Sequence, residues 1–467
     1  MRKNQSLTAN VDWPLFAVYI ALLIMGLATV YSVAFDADHP NIFDFSQKYG
    51  KQVVWLGISL FLGLLVFLID SDIYRKFAVP IYLFVLSLLV IVLFMPEVNG
   101  ARAWLGIGTM GIQPAEFAKI GTAIMLARYL GSSNLKLQLR KTVFVSNAII
   151  LLPMGLILMQ PDAGTFVVFT AFLFVLYREG VSYDPIILPV LNLLPIPALN
   201  FKSTWIGIHF IPILFIVIFL SVTTLLLSNE IITLDMFPGT EIPGYWGLLF
   251  FLAILALFGY FIMRVIFVKR DKKRAVSIAI IGFILATLLT SAVNYSFQKL
   301  PGHQKERIEL VLGLRQDPDG DDYNRNRAMA AVGSGGLLGK GYRNASVSSV
   351  RTNHVPESET DFIFCPFAEE WGFVGSFILV GLYLFMILRI VFIAERQKAA
   401  FNRIYAYAVA MILFYHFTIN IGMSIEFAPV IGIPLPLFSY GGSSMMSFSI
   451  MLFILLKLDS QRKDVLN

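Results

Sequence analysis

A single cysteine, Cys365, in 467 residues excludes an intrachain disulfide and any cysteine-built metal cluster. Charge is scarce too. Asp, Glu, Lys and Arg make up 14% of the chain against 57% hydrophobic residues, a balance that soluble domains do not show. No clear small-residue cleavage site follows the first apolar run, Trp13–Ala34, which is itself long enough to span, so no cleavable signal peptide is expected. The net charge of +6 is an ordinary membrane-protein surplus, and no nucleic-acid partner is expected from it.

What the chain does have is repeated apolar segments of about 20 residues, each long enough to cross a bilayer. The reading is an all-α polytopic membrane protein with about 12 transmembrane helices, at roughly 13–34, 53–69, 77–95, 112–130, 143–160, 163–178, 205–227, 246–267, 275–297, 362–392, 404–423 and 434–456. The apolar stretch 184–200 carries Pro185, Pro189, Pro195 and Pro197 and is expected to be interfacial or broken. Basic residues in "LKLQLRK" (135–141), "VKRDKKR" (268–274), "ERQKAAFNR" (395–403) and both termini predict that these lie in the cytoplasm. Twelve spans satisfy them all and put the large loop 298–361 outside.

That loop holds the densest charge, "LRQDPDGDDYNRNRA" at 314–328. Asp317, Asp319 and Asp321 imitate a calcium loop, but Asp322 and Ala328 stand where that loop needs Gly and Glu. "GSGGLLGKGY" at 333–342 imitates a phosphate-binding loop, but its first Gly falls on Ser334 and Gly341 follows Lys340 where Ser or Thr is required. A carboxylate among Arg307, Arg315, Arg325, Arg327 and Lys340 suits a general base beside a phosphate-bearing substrate. A solvated loop whose charges pair with one another accounts for the same composition.

A second candidate site is "NGARAWLGIGTMGIQPAEFAKI" at 99–120. Arg102 and Trp104 fall in an outer loop, where Trp104 could equally be an interfacial anchor. Glu116 and Lys119, spaced i,i+3, share one face of an apolar helix. Such charges mark an internal cavity or a pair that locks helices together. Asp162 in "QPDAGT" is expected to cap the next helix, and His416 to be a satisfied structural histidine. "PLPLFSYGGSS" at 434–444 reads as broken backbone at membrane depth, tolerated only where buried or lining a cavity.

Taken together, "NGARAWLGIG", "QPAEFAKI", "QPDAGT", "QDPDG", "AVGSGGLLGKGY", "TDFIF", "AEEWGFVG", "NIGM" and "GIPLPLFSYGGSS" resemble the SEDS family (shape, elongation, division and sporulation). These are the polytopic peptidoglycan polymerases typified by RodA and FtsW. The stretches fall in family order from residue 99 to 444. The resemblance implies a single integral-membrane domain over 1–467 with a family core of ten helices, which leaves an inserted helix pair at about 201–274. It assigns the catalytic role to Asp317 and substrate binding to Arg102, Trp104, Glu116, Lys119, Arg307 and Lys340. The sequence departs from the family pattern at Gly313, Asp319, Asp322, Arg327 and Glu359.

The implied reaction is glycan-strand polymerisation from lipid II, with release of undecaprenyl pyrophosphate, on the outer face of the bacterial cytoplasmic membrane. It implies a peptidoglycan glycosyltransferase for cell-wall elongation and rod shape, working with a class B penicillin-binding protein and elongation-complex proteins. No cofactor motif is present. A divalent cation such as Mg2+ on the pyrophosphate is compatible with the chemistry, although no metal-ligand cluster demonstrates one. The competing readings are a lipid II flippase or transporter using Glu116, Lys119 and Arg264, a division polymerase of the FtsW kind, and a non-catalytic scaffold.

Overall fold

The computed structural model describes residues 10–36, 38–97, 102–106, 111–132, 135–191, 205–227, 231–233, 241–266, 269–299, 321–348, 355, 357–428 and 430–462. The chain divides into two compact units, Met1–Ile208 with Asp319–Asn467, and His209–Pro318.

The first unit begins with α1 (Trp13–Val33), α2 (Lys48–Leu68), α3 (Ser71–Lys76), α4 (Ala78–Val92) and α5 (Pro114–Leu130). It continues with α6 (Arg140–Leu158), α7 (Ala163–Phe169), α8 (Ala171–Glu179), α9 (Asp184–Leu191) and α10 (Trp205–Ile208). The second unit holds α11 (Phe210–Leu227), an antiparallel ribbon of β1 (Ile231–Thr233) and β2 (Glu241–Pro243), α12 (Gly244–Ile266) and α13 (Lys269–Gln298). The first unit then resumes with α14 (Asp321–Ser334), α15 (Phe364–Glu395), α16 (Ala400–Ser424) and α17 (Gly442–Ser460).

Every predicted span lands on helix. Eight described helices are long and apolar enough to cross a membrane: α1, α2, α6, α11, α12, α15, α16 and α17. The other four predicted spans fall on α4, α5, the α7–α8 pair and α13. Local chemistry sets the ends. Asp12 caps α1 by accepting the Leu15 N–H at 3.1 Å, with Pro14 in the first turn, where its missing N–H costs nothing. Asp162 caps α7 by accepting the Thr165 N–H at 2.9 Å, the role expected of it. Gly180, at φ +81°, ends α8 in the left-handed conformation.

Three boundaries differ from the sequence reading. The last helix starts at Gly442 rather than near 434, because Pro434 and Pro436 cannot donate to a helical ladder. The span at 362–392 is one helix only in outline, since Gly372 sits at φ +65°, ψ −164° and breaks α15 near its start. Part of the outer charge cluster is not loop. Residues 321–334 form α14, whose Ala328 and Ala331 are fully buried, and α14 packs on α15 and α16. One helical turn separates these two alanines, so a small-residue face lets a charged helix sit close.

In the first unit successive spans alternate in direction, which sorts the charges. One end carries Asp12, Arg128, Arg178, Arg389, Arg396, Arg403 and Arg462, whose bonds link α1, α3, α5, α8, α15, α16 and the end of α17. Arg389 reaches Asp12 at 3.0 Å, and Arg396 bridges Asp12 and Asp459. Arg178 pairs with Glu395 and Arg403 with Glu179, each at 2.7 Å. We call this the cationic end. The opposite end holds the N-termini of α5, α7, α15 and α17.

Candidate active site

The opposite end is organised by a stretch of irregular, buried backbone at 431–441, between α16 and α17. Ile433, Leu435, Leu437 and Phe438 are buried, so its carbonyls need protein partners. They have them. Asn420 Nδ2 donates to Ile433 O at 2.7 Å and Tyr383 Oη to Pro436 O at 2.6 Å. Gln52 Nε2 donates to Ser439 O, His416 Nδ1 lies 3.2 Å from Pro434 O, and the Tyr440 N–H donates to Glu359 O. The expectation of broken but buried backbone here is met by this accounting.

Beneath that stretch lies a buried polar knot. Lys119 Nζ sits 2.8 Å from Glu116 Oε1 and 2.8 Å from His416 Nε2. The Ser447 hydroxyl donates to Glu116 Oε2 at 2.8 Å. Lys119 also lies over the Phe448 ring, 4.7 Å from its centroid. The helical i,i+3 offset puts the carboxylate and ammonium on one face, as the sequence indicates. Only the fold adds His416 from α16 and Ser447 from α17, which turn a pair into a join between three helices.

Above the knot, Asp162 at the start of α7 accepts from Gln113 Nε2 at 2.9 Å and from the Thr165 hydroxyl at 2.8 Å. Asp162 also lies within electrostatic reach of Lys119 and of Asp361. Asp361 sits in the turn before α15. Burial, with the charges of Glu357 and Asp162 beside it, pushes its carboxyl up to about 7. A carboxyl in that range can donate or accept a proton near neutral pH. The second candidate site therefore has a carboxylate neighbourhood drawn from α5, α7 and the turn before α15.

A second structure at this end locks the glycine-rich loop. The buried Glu369 carboxylate accepts Lys340 Nζ at 2.6 Å, the N–H groups of Ser346, Val347 and Ser348 at 2.8, 3.0 and 2.9 Å, and the Ser348 hydroxyl at 2.5 Å. The Lys340 and Gly341 N–H groups donate to the carbonyls of Glu369 and Glu370, each at 3.0 Å. Gly339 and Gly372, at φ +81° and +65°, meet so closely that a Cβ on Gly339 would lie 2.1 Å from Glu370 O. These N–H groups hold α15 rather than cradle a phosphate.

The residues named from the sequence are thus divided. Glu116 and Lys119 are brought together, buried, and joined to the Asp162 neighbourhood. Arg102 is exposed and pairs with Glu97 at 3.0 Å. Trp104 is 39% exposed and adjoins Leu105, whose backbone pairs with that of Ile112. Lys340 stands in the Glu369 lock. Asp317, Arg307 and Arg315 lie outside the described residues, and of Arg325 only the backbone in α14 is described. Sequence reasoning gave no role to Asp361, Glu357 or Glu369. "TDFIF" and "AEEWGFVG" flagged their stretches, but nothing local tells a carboxylate that anchors a loop from one that faces a site.

The first unit is a helical membrane bundle with irregular, buried backbone at one end, several of its carbonyls bonded to side chains, and ionisable residues gathered there, the architecture of a polytopic membrane protein with an internal site. The chain belongs to the FtsW, RodA and SpoVE family, whose model, described as "Cell cycle protein", matches residues 12–220 and 273–464. It is 30% identical over 473 residues to the "Peptidoglycan glycosyltransferase RodA" of Treponema pallidum (strain Nichols), covering 97% of this chain and 98% of that one. It is 27% identical to the "Peptidoglycan glycosyltransferase MrdB" of Escherichia coli (strain K12), covering 97% and 95%. Two solved structures share the fold. One is described as "Structural coordination of polymerization and crosslinking by a peptidoglycan synthase complex" (TM-score 0.63, 24% identity, 97% and 98% covered). The other is the crystal structure of Thermus thermophilus rod shape determining protein RodA (TM-score 0.55, 22% identity, 97% of each chain). The gap at 221–272 in the family match falls within the second unit.

Proposed function

We propose that the chain is a peptidoglycan glycosyltransferase that joins lipid II units into glycan strands for cell-wall elongation. The observation that carries this is the similarity along nearly the whole of both chains to proteins named peptidoglycan glycosyltransferases. The acceptor's sugar 4-hydroxyl attacks the donor's anomeric carbon. A new C–O bond forms there, the bond to the pyrophosphate oxygen breaks, and undecaprenyl pyrophosphate leaves. Asp317 takes the hydroxyl proton.

The geometry refines which cations meet the pyrophosphate. Lys119 has no exposed surface and is held between Glu116 and His416, so it shapes the site through packing. Lys340 is held by Glu369 and shapes the loop. The pyrophosphate contacts then fall to Arg102 at the rim and to the arginines near Asp317, Arg307 among them. Trp104, half exposed beside Arg102, offers a flat apolar surface to a sugar face. Among the described residues no three carboxylate, histidine or cysteine side chains are placed to hold an ion. A divalent cation such as Mg2+ on the pyrophosphate is compatible with this chemistry.

Both termini are cytoplasmic in this reading, and the site end faces out. The concentration of arginines at the cationic end supports that orientation. With Cys365 replaced by Ala, a cysteine at Asn344 is expected to label with an impermeant thiol reagent in intact spheroplasts. A cysteine at Lys136 should label only after permeabilisation. The reverse pattern would rule the orientation out.

The partner is a class B penicillin-binding protein within an elongation complex, in keeping with the synthase complex whose fold this chain shares. The deciding assay mixes the purified chain with lipid II in proteoliposomes, with and without such a partner. Glycan strands and released undecaprenyl pyrophosphate are expected. The buried Glu116–Lys119–His416 knot is also what a transporter would use to carry charge. Lipid II that crosses the bilayer without polymer formation would favour that second reading.

A further inference from the structure

At the cationic end, α6 and α9 enclose a crevice of about 540 Å³ lined by Arg140, Lys141, Phe144, Pro185, Ile186 and Pro189. We propose that this crevice binds an anionic glycerophospholipid, its phosphate on Arg140 and Lys141 and its glycerol and acyl portion on the apolar wall. Nothing in the glycosyl-transfer reading uses these residues.

The charges are arranged for an outside anion. Several arginines of this end that bridge helices are neutralised by carboxylates, as in Arg178–Glu395 and Arg403–Glu179, while Arg128 donates to the Lys76 carbonyl at 3.1 Å. Arg140 donates Nε to the Pro185 carbonyl at 2.9 Å. That bond pins the guanidinium across the crevice and leaves its terminal N–H groups unused among the described residues. Lys141 is exposed and has no hydrogen-bond or ion-pair partner among the described residues. Asp184, the acid next to Pro185, is buried and engaged elsewhere. Its Oδ2 accepts the Ser182 hydroxyl at 2.6 Å, and its Oδ1 faces the Gly207 backbone.

The helix end adds to this field. Leu139 precedes the 19 residues of α6 and makes no side-chain cap, so the partial positive charge of the helix N-terminus adds to that of Arg140 and Lys141. Below the charges the crevice changes character. Phe144 is 75% exposed and Ile186 46% exposed, and the two prolines offer no donor. A free phosphate would gain nothing from that wall. A lipid whose headgroup sits at the first turn of a spanning helix gains both halves.

The test uses the full chain in nanodiscs doped with a photoreactive phosphatidylglycerol, or with its phosphatidylcholine counterpart, followed by peptide mapping. The phosphatidylglycerol probe is expected to label peptides containing 139–144 and 185–189. Labelling should fall roughly ten-fold or more in Arg140→Gln/Lys141→Gln. Lys141→Gln alone, an exposed change that cannot unfold the helix, should lose about three-fold, and Lys141→Arg should keep wild-type labelling. Equal labelling by the phosphatidylcholine probe, or labelling unchanged in the double variant, would reduce the crevice to ordinary annular contact. Loss of labelling to excess inorganic phosphate would make it a free-anion site instead.

Discussion

Asp317→Asn is expected to give a chain that folds, inserts and still binds lipid II, yet forms glycan at least about 100-fold more slowly. A positioned proton acceptor contributes roughly 10²–10⁴-fold. Asn is nearly isosteric with Asp and cannot take the proton. The neighbouring aspartates provide the contrast. Asp321 and Asp322 open α14, where a carboxylate in the first turn favours the helix by about 0.3–1 kcal/mol. Their Asn variants should keep most activity and lose a little stability, and Asp319→Asn should also stay active. The measurement is single-turnover lipid II polymerisation with each variant at equal membrane abundance. A dead Asp319→Asn or Asp322→Asn beside an active Asp317→Asn would move the base to another carboxylate. Activity in all four variants would leave the cluster as solvated charge and weaken the polymerase reading itself.

The second large effect is on the buried knot. Lys119→Met should destabilise the protein by about 3–5 kcal/mol, because it leaves the Glu116 carboxylate buried with only the Ser447 hydroxyl donating to it. Glu116→Gln/Lys119→Met should recover most of that loss, since removing both charges removes the desolvation problem along with the attraction. Thermal midpoints in detergent, followed by loss of the monodisperse peak, read the difference. Equal midpoints for the single and double variants would show that the pair is not coupled. Because His416 bridges from Lys119 to the Pro434 carbonyl, the single variant should also slow polymerisation more than its midpoint alone explains. The double variant separates the two effects. If it is stable yet slow, the charges serve the site as well as the fold.

The lock around Glu369 and the knot around Lys119 share a design. Each places one buried carboxylate where several chain segments meet, and each draws partners from other segments of the chain. A buried carboxylate with full hydrogen bonding specifies one arrangement, and a partly bonded one is costly. The site end can therefore keep unwound backbone at 431–441 and a glycine-rich loop at 335–341 without losing definition.

Composition and periodicity alone determined that this is an all-helical membrane protein. Each crossing must satisfy its own backbone within one segment, so a run of apolar residues is already a structural statement. The placement of the helices, the capping role of Asp162 and the pairing of Glu116 with Lys119 follow from the same local rules, because all depend on residues within one or two turns. Tertiary structure decided what joins those pieces. His416 lies 297 residues from Lys119, and Glu369 lies 21 to 29 residues from the groups it gathers. It also decided that residues 321–334 are helix packed on α15 and α16, with Ala328 and Ala331 buried. Lys340 shows the limit most plainly. Its charge in an outer loop suggested a pyrophosphate ligand, and only the fold brings Glu369 to within 2.6 Å of it. A buried carboxylate's attraction outcompetes water for an ammonium nearby, and no pattern in the sequence states which carboxylate will be buried there.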